Sequence, residues 1–255
     1  MSPTDTDTTA GTRSGEELKA LAAAAEERFG ALEAQGDAAA YEQRVELARD
    51  ALRWAQETFG EHLTVASSMG DEVLVHLVGT TIPGADVFFL DTGYHFVETL
   101  GTRDAYAAML PLNIRTILPL LTVPQQDEKY GAKLHDRDPN ACCAMRKVEP
   151  LNRALSTHQA WVTGMRRVDA PTRTDIGIVG WDEKREMVKL NPIAGWSDDD
   201  VDRYVAEHGV FLNPLRQEGY ASIGCAPCTR PVAEGEDARA GRWAGQDKTE
   251  CGLHT

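Results

Sequence analysis

The sequence predicts an α/β fold: a mostly parallel, twisted sheet flanked by helices. Three observations predict it. Short apolar runs recur along the middle of the chain. Each ends in a turn of small residues. Each turn opens into a stretch of helical periodicity. In "HLTVASSMGDEVLVHLVG" residues 63–66 form the first run, small residues follow, and an apolar helix starts at about Asp71. In "ADVFFLDTGYHF" residues 87–90 form a buried-strand candidate, Asp91, Thr92 and Gly93 a turn, and "HFVETLGTRDAYAAM" a helix. "NIRTILPL" is the third strand candidate. "AWVTGMRR" is the fourth, ending in a glycine turn with two arginines. In such sheets ligands sit beyond the carboxyl ends of the strands. Ser67, Ser68, Asp91, Thr92, Gly93, Gly164, Arg166 and Arg167 are therefore expected around one crevice.

The flanks divide the chain further. Residues 1–15 are rich in Thr, Asp and Gly and read as a disordered arm. Residues 16–60 carry Ala, Glu and Leu at helical spacing, as two helices broken near Gly36 and packed on the core. Residues 61–215 form the α/β domain. Residues 216–255 are rich in Gly, Pro and charge and read as a loop-dominated tail.

The chain has 255 residues and a net charge of −14. That sign repels polyanions, so a nucleic-acid partner is not expected. A small anion remains compatible with it, because a local basic pocket outweighs a distant acidic surface. No apolar run approaches the ~20 residues of a membrane helix. The N-terminus shows neither the basic start nor the apolar stretch of a secretory signal. A reducing cytoplasm is the expected compartment, so the five cysteines point to metal binding or catalysis rather than disulfides.

"SSMGDE" lies between a strand and a helix. Small residues there let backbone N–H groups approach an anion at a helix N-terminus. It lacks the lysine and second glycine of a P-loop. A capped strand–helix turn, with Ser67 or Ser68 as N-cap, explains it equally well.

Four cysteines form two pairs. Cys225 and Cys228 in "SIGCAPCTRP" have the C-x₂-C spacing that brings two thiolates to one centre. Cys142 and Cys143 in "NACCAMRKVEPL" are adjacent, and adjacent side chains diverge by about 100° on a helix. Two neighbours grip a bulky iron–sulfur cluster through different irons more readily than one zinc ion. Spacing alone favours the cluster without excluding zinc. Asn140 is the expected cap of a helix from Ala141 toward Pro150. On that helix Lys147 shares a face with Cys143, where an anionic cluster wants a cation. The fifth cysteine, Cys251, is left over near the end in "TECGLHT".

Taken together, "NACCAMRKVEPL", "WVTGMRR", "YASIGCAPCTRP" and "ECGLH" resemble the motifs of the assimilatory adenylyl-sulfate reductases, the cluster-containing branch of the sulfonucleotide (PAPS) reductases. The resemblance runs from about Val65 to His254. It implies a Rossmann-like, adenine nucleotide alpha hydrolase-like fold and a thioredoxin-dependent oxidoreductase of sulfate assimilation and cysteine biosynthesis. In that family adenosine 5′-phosphosulfate is converted to sulfite and AMP. By the resemblance Cys251 is the nucleophile, carrying an S-sulfocysteine before thioredoxin releases sulfite from it. Lys147, Arg166, Arg239 and Arg242 would hold phosphate and sulfate oxygens, and His254 would contact substrate when the tail closes. Ser67 and Asp71 match the modified phosphate loop, Leu90 and Thr92 would border adenine and ribose, and Gly164 would line the same site. Cys142, Cys143, Cys225 and Cys228 would hold one [4Fe-4S] cluster. A homo-oligomer is compatible with the sequence. "SSMGDE" departs from the glycine-rich loop of some members, and Trp243 stands where others carry a longer aromatic run.

Three other readings remain. A 3′-phosphorylated substrate would need an extra cation near the ribose, from Arg167 or Arg173. An adenylating enzyme of the ATP-pyrophosphatase type would need a glycine-rich S-G-G-x-D-S loop. A metal or cluster sensor would need the four cysteines but not Cys251.

Overall fold

A computed structural model describes residues 12–35, 40–245, 248 and 252–253. Two long helices come first, α1 (Gly15–Gln35) and α2 (Tyr41–Phe59). The alternating core follows: β1 (Leu63–Ser67), α3 (Glu72–Thr81), β2 (Asp86–Leu90), α4 (Val97–Met109) and β3 (Asn113–Ile117). Short helices α5 (Val123–Tyr130), α6 (Leu134–Arg137) and α7 (Pro139–Cys143) lead through a π-turn at Ala144–Val148 into α8 (Glu149–Leu155). The chain returns to the sheet as β4 (Ala160–Val162), β5 (Val179–Asp182) and β6 (Met187–Leu190), then forms α9 (Asp198–His208). Beyond it the described residues hold only 3₁₀ turns, as the Gly- and Pro-rich composition predicts.

The six strands lie in the order β3-β2-β1-β4-β6-β5, parallel except for β5 at one edge. The chain winds outward from β1 through β2 to β3. It then crosses back to place β4 on the other side of β1. The strand order thus reverses between β1 and β4, the place where sheets of this kind leave a ligand crevice beyond the strand ends. The parallel β1, β2 and β4 are short and almost wholly apolar, because both faces of the sheet are covered. One face carries Val65, Val87, Val162 and Val188 against α1, α2 and α3. Phe89 on that face meets Met69, Val75 and Tyr106. The other face carries Phe88, Trp161 and Met187 against Leu151, Ala154 and Leu155 of α8, and Leu253 near the chain end packs there too.

The helices at 16–60 are built into this core. Leu18, Ala22, Ala25 and Phe29 of α1 are buried, and α1 lies against β5 and β6. Its Glu33 receives a two-armed ion pair from Arg167 at 2.7 and 2.9 Å. Arg13 stacks its guanidinium 5.6 Å from the Phe59 ring centre. The expected break near Gly36 lies at residues 36–39, outside the described residues. Of the arm expected at residues 1–15, residues 1–11 also lie outside them, but its described end is not a loose arm: Ser14 donates to Glu17, and Gly15 already opens α1.

The β5–β6 hairpin and α9 have no counterpart among the elements expected from the sequence. The hairpin strands are four residues each and mix Gly, Trp, Asp and Lys with apolar positions. α9 announces itself only through its Ser197–Asp200 capping box and Gly209 in the left-handed C-cap.

No helix among the described residues is long and apolar enough to cross a membrane.

Because Phe29 is fully buried between α1 and the rest of the core, Phe29→Ala is expected to cost about 3–5 kcal/mol of folding stability. Urea denaturation should show one cooperative transition at a lower midpoint. An unchanged midpoint would mean that α1 does not belong to the folding unit.

Candidate active site

The site begins where β1 ends. Ser67 Oγ donates to Asp71 Oδ1 at 2.6 Å, and the Ser68 amide donates to the same oxygen at 3.2 Å. Neither serine caps α3, so the alternative reading of a serine-capped turn does not hold: the N-cap position is Asp71 itself, without a side-chain cap. The serines instead tie the loop to the Asp71 carboxylate. Met69 takes a left-handed backbone conformation, φ 57°, which folds the loop back tightly. At the end of β4, Gly164 lies directly on this loop: a Cβ there would sit 3.1 Å from Asp71 Cβ. Ser67, Asp71 and Gly164 are therefore brought together, across the point where the strand order reverses. Burial lifts the Asp71 carboxyl from 3.8 to about 6, with the neighbouring Glu72 charge adding to the effect.

The end of β2 connects this crevice to the cysteines. Thr92 is buried, and its Oγ1 lies 3.2 Å from Cys225 Sγ. Its carbonyl accepts from Arg146 Nε. Tyr94 O accepts from Ala226 N at 2.7 Å, and His95 pairs with Cys225 as a backbone bridge. The C-x₂-C turn is thus stitched to the strand end that carries Leu90 and Thr92. Leu90 and Leu253 both pack against the apolar cluster around Phe88.

Cys142, Cys143, Cys225 and Cys228 line one recess with Tyr94, His135, Arg146, Lys147 and Trp243. All four are free thiols. Burial and mutual repulsion push Cys142 up to about 12 and Cys228 up to about 11. Lys147 and Arg242 work against that rise at Cys228, as Arg146 does at Cys142. Among the described residues no group of three or more His, Cys, Asp or Glu side chains is placed to hold a single metal ion.

Locally the double cysteine differs from expectation. Asp138, not Asn140, caps the helix: its side chain accepts from Ala141 N, with Pro139 in the first turn. A proline at that position gives up only an amide that has no helical partner. Asn140 sits inside the turn, and its Oδ1 accepts from Lys248 Nζ at 2.6 Å. The π-turn at 144–148 widens the helix just where Lys147 stands. Lys147 still shares the recess with Cys143.

The remaining expected contacts are placed variously. Arg166 is clamped between Asp169 and Asp198, at 2.8 and 2.9 Å. Arg242 donates to Ser222 Oγ and Ile223 O and stacks on Trp243, whose own amide bonds Cys228 O. Gly224 makes room for it, since a Cβ there would meet the guanidinium at 2.3 Å. Arg239 is half-buried beside it in the chain. The expected nucleophile Cys251 and the expected contact His254 lie outside the described residues. Sequence reasoning missed Glu72, Asn213 and Arg216, which brace the loop after β1. It also missed Arg146 as a strut, 3% exposed, reaching Thr92, Leu121 and Gln126.

The loop after β1 and the cysteine recess thus stand near the carboxyl ends of neighbouring strands of an α/β sheet. The phosphoadenosine phosphosulfate reductase domain matches residues 62–231, and the chain belongs to that family. A Streptomyces coelicolor protein named adenosine 5′-phosphosulfate reductase is 58% identical over 243 residues, covering 95% of this chain and 97% of that one. A Mycolicibacterium smegmatis protein of the same name is 53% identical, covering 81% of this chain and 88% of its own. Among solved structures, a phosphoadenylyl-sulfate reductase from Candida auris in a phosphate complex has TM-score 0.61 and 28% identity, covering 72% of this chain and 90% of that one. An FMN adenylyltransferase from Candida glabrata shares the fold at TM-score 0.52 and 12% identity, covering 84% of this chain and 75% of its own.

The half-buried, desolvated Asp71 gives a pH-dependent prediction. Its folded pKa lies above the unfolded value, so the folded chain holds the extra proton between about pH 4 and 6. Stability falls as pH rises through that window, and the cost persists above it. Asp71→Asn is expected to be more stable than wild type at pH 8, by at most ~3 kcal/mol. The gain should shrink below about 1 kcal/mol at pH 4. Denaturation midpoints at the two pH values test this; an equal difference at both would contradict it.

Proposed function

We propose that the protein is an adenylyl-sulfate reductase, converting adenosine 5′-phosphosulfate to sulfite and AMP with thioredoxin as reductant. The observation that carries this is the junction of the Ser67–Asp71–Gly164 crevice with the four-cysteine recess through Thr92 and Cys225. A nucleotide phosphate at the loop would place its sulfuryl end near the recess and its cations.

In this reading the Cys251 thiolate attacks the sulfur of the substrate. The S–O bond to AMP breaks and the enzyme holds a Cys–S–SO₃⁻ group. A thioredoxin thiolate then attacks Cys251 Sγ, expelling sulfite and forming a mixed disulfide. The second thioredoxin thiol resolves it and restores Cys251, so the two electrons come from the dithiol. AMP is a good leaving group, and positioning and charge stabilisation are what the site must supply. Ser67 and the loop amides would hold phosphate, Lys147, Arg166, Arg239 and Arg242 the anionic oxygens, and His254 would contact substrate when the tail closes. Leu90 and Thr92 would border the nucleoside. Arg166 would have to exchange one of its carboxylate partners for substrate.

The thiol set fits a [4Fe-4S] cluster. Burial and neighbouring thiols keep the Cys142 and Cys228 protons on at neutral pH, so a metal group would have to draw them off, and Arg146, Lys147 and Arg242 stand by to offset the charge. A cluster binds each thiolate through a different iron, which suits four thiols not gathered around one point. Held by Cys142, Cys143, Cys225 and Cys228, it would supply a fixed, charged wall to the site. The free thiols also suit a reducing cytoplasm.

The unphosphorylated substrate is favoured by the fate of two arginines. Arg167 is spent on Glu33 and the Ile176 carbonyl, and Arg173 is buried against Asp169. Neither stands available for a 3′-phosphate. Turnover should therefore be at least ~10-fold faster in kcat/KM with adenosine 5′-phosphosulfate than with its 3′-phosphorylated form, about 1.4 kcal/mol of discrimination. The opposite preference would overturn the substrate assignment.

Two substitutions test the chemistry. Cys251→Ser is expected to abolish sulfite release while the broad visible absorbance of an iron–sulfur protein stays. Lys147→Ala should lower kcat/KM by about 10-fold or more with that absorbance retained. Full activity in either variant would remove its residue from the mechanism.

A further inference from the structure

The loop after β1 is held from behind by a set of residues to which no role has been assigned. Glu72, the first residue of α3, is only 2% exposed. A carboxylate at that depth must be paired. Arg216 supplies the pair: Nε lies 3.0 and 3.2 Å from the two carboxylate oxygens, and Nη2 lies 2.9 Å from Oε2. The Asn213 amide donates to Oε1 at 3.0 Å. The ion pair is also a carrier. The same Arg216 Nη2 donates to the Gly70 carbonyl at 2.6 Å, and Nη1 reaches the Ala221 carbonyl at 3.4 Å. Asn213 is wholly buried and donates through Nδ2 to the Met69 carbonyl at 3.4 Å and to Thr99 Oγ1 at 3.2 Å.

These contacts have a directional consequence. In a trans peptide the N–H points opposite to the C=O of the preceding residue. With the Met69 and Gly70 carbonyls drawn back onto Asn213 and Arg216, the amides of Gly70 and Asp71 are turned to the other side of the loop. That side carries the Ser68 hydroxyl, which the Gly70 amide approaches at 3.4 Å, and the Asp71 carboxylate with its Ser67 and Ser68 donors. Met69 holds φ 57° to make this turn possible. Successive amides aimed one way at a helix start are an anion cradle. Arg216 also fixes where that cradle stands relative to the recess. Its Ala221 contact and the closeness of Gly70 to Ile223, where a Cβ would lie 3.4 Å away, seat the loop on the segment that leads into Cys225.

We propose that Arg216, oriented by Glu72, is a positioning residue that aims the Gly70 and Asp71 amides at the nucleotide phosphate and sets the loop's distance from the cysteine-bearing segment. This rests on the reading of the loop as a phosphate site. A lysine at 216 keeps the charge but not the fork, so it cannot hold Glu72 and the Gly70 carbonyl together.

The test compares AMP and adenosine as ligands of the cluster-loaded protein, by calorimetric titration of wild type, Arg216→Lys and Glu72→Gln. Each variant is to be checked for a wild-type visible spectrum. Affinity for AMP should fall about 10-fold or more in the variants while affinity for adenosine holds. A brace that serves only the fold would lower both together or neither, and either result overturns the proposal. If the variants do not fold, the wild-type chain still decides it. AMP, and not adenosine, should slow hydrogen exchange at the Gly70 and Asp71 amides. No protection there means that the amides are not aimed at the phosphate. A wild-type protein that binds AMP no better than adenosine would instead refute the phosphate site itself, which separates the two failures.

Discussion

The pairing of β1 with β4 is the constraint on which the site depends. The two strands touch over only three residue pairs, from Leu63 opposite Ala160 to Val65 opposite Val162. Both are buried on both faces, so neither can slide without exposing apolar side chains to the wrong layer. Their fixed register sets the end of β1 beside the end of β4, and so places Gly164 on Asp71. Everything else is placed relative to that contact. α8 covers one face and delivers β4 in register. α1 and α2 cover the other and tie the turn after β4 to Glu33.

The electrostatics follow from the same layout. A chain of charge −14 can attract an anion only locally. On the proposed reading it would do so with backbone dipoles at the loop and with cations held in place by other contacts. Arg146 is spent on carbonyls and a glutamine, and it lies 5.2 Å from the Tyr94 ring centre. Arg242 rests on Trp243 and two oxygens. Fixing these side chains in advance removes the entropy cost of ordering them around a ligand. The thiols draw on that field too, since the same cations oppose the rise in thiol pKa that burial imposes.

What the sequence makes legible divides along physical lines. Ser67, Asp71 and Gly164 are legible because strand ends in a parallel sheet must converge, and local patterning shows where strands end. The four cysteines are legible through spacing and chemistry. The β5–β6 hairpin is not, because four-residue strands with mixed polarity carry no period to read. Asp138 as the helix cap is missed because Asn140 is an equally good capping type two residues on, and only the proline between them decides. Glu72, Asn213 and Arg216 are missed for a different reason. Arg216 meets Glu72 across more than 140 positions of chain, and although Glu72 ends "SSMGDE" nothing in that stretch marks its partner. Contacts of that range come from tertiary packing, which no local pattern encodes.

The π-turn at Ala144–Val148 has a consequence for how this chain can change over generations. A π-turn amounts to one residue more than an α-helix needs over the same length. Loss of any one residue from this stretch would leave a continuous helix, acceptable to the fold. It would leave Cys142 and Cys143 nearly where they are relative to α8, because the wider turn already absorbs the extra residue. What it would disturb is the placement of Arg146 and Lys147, the two cations inside the turn. The length of this five-residue segment thus governs the charge beside the four thiols, separately from the identity of the thiols themselves.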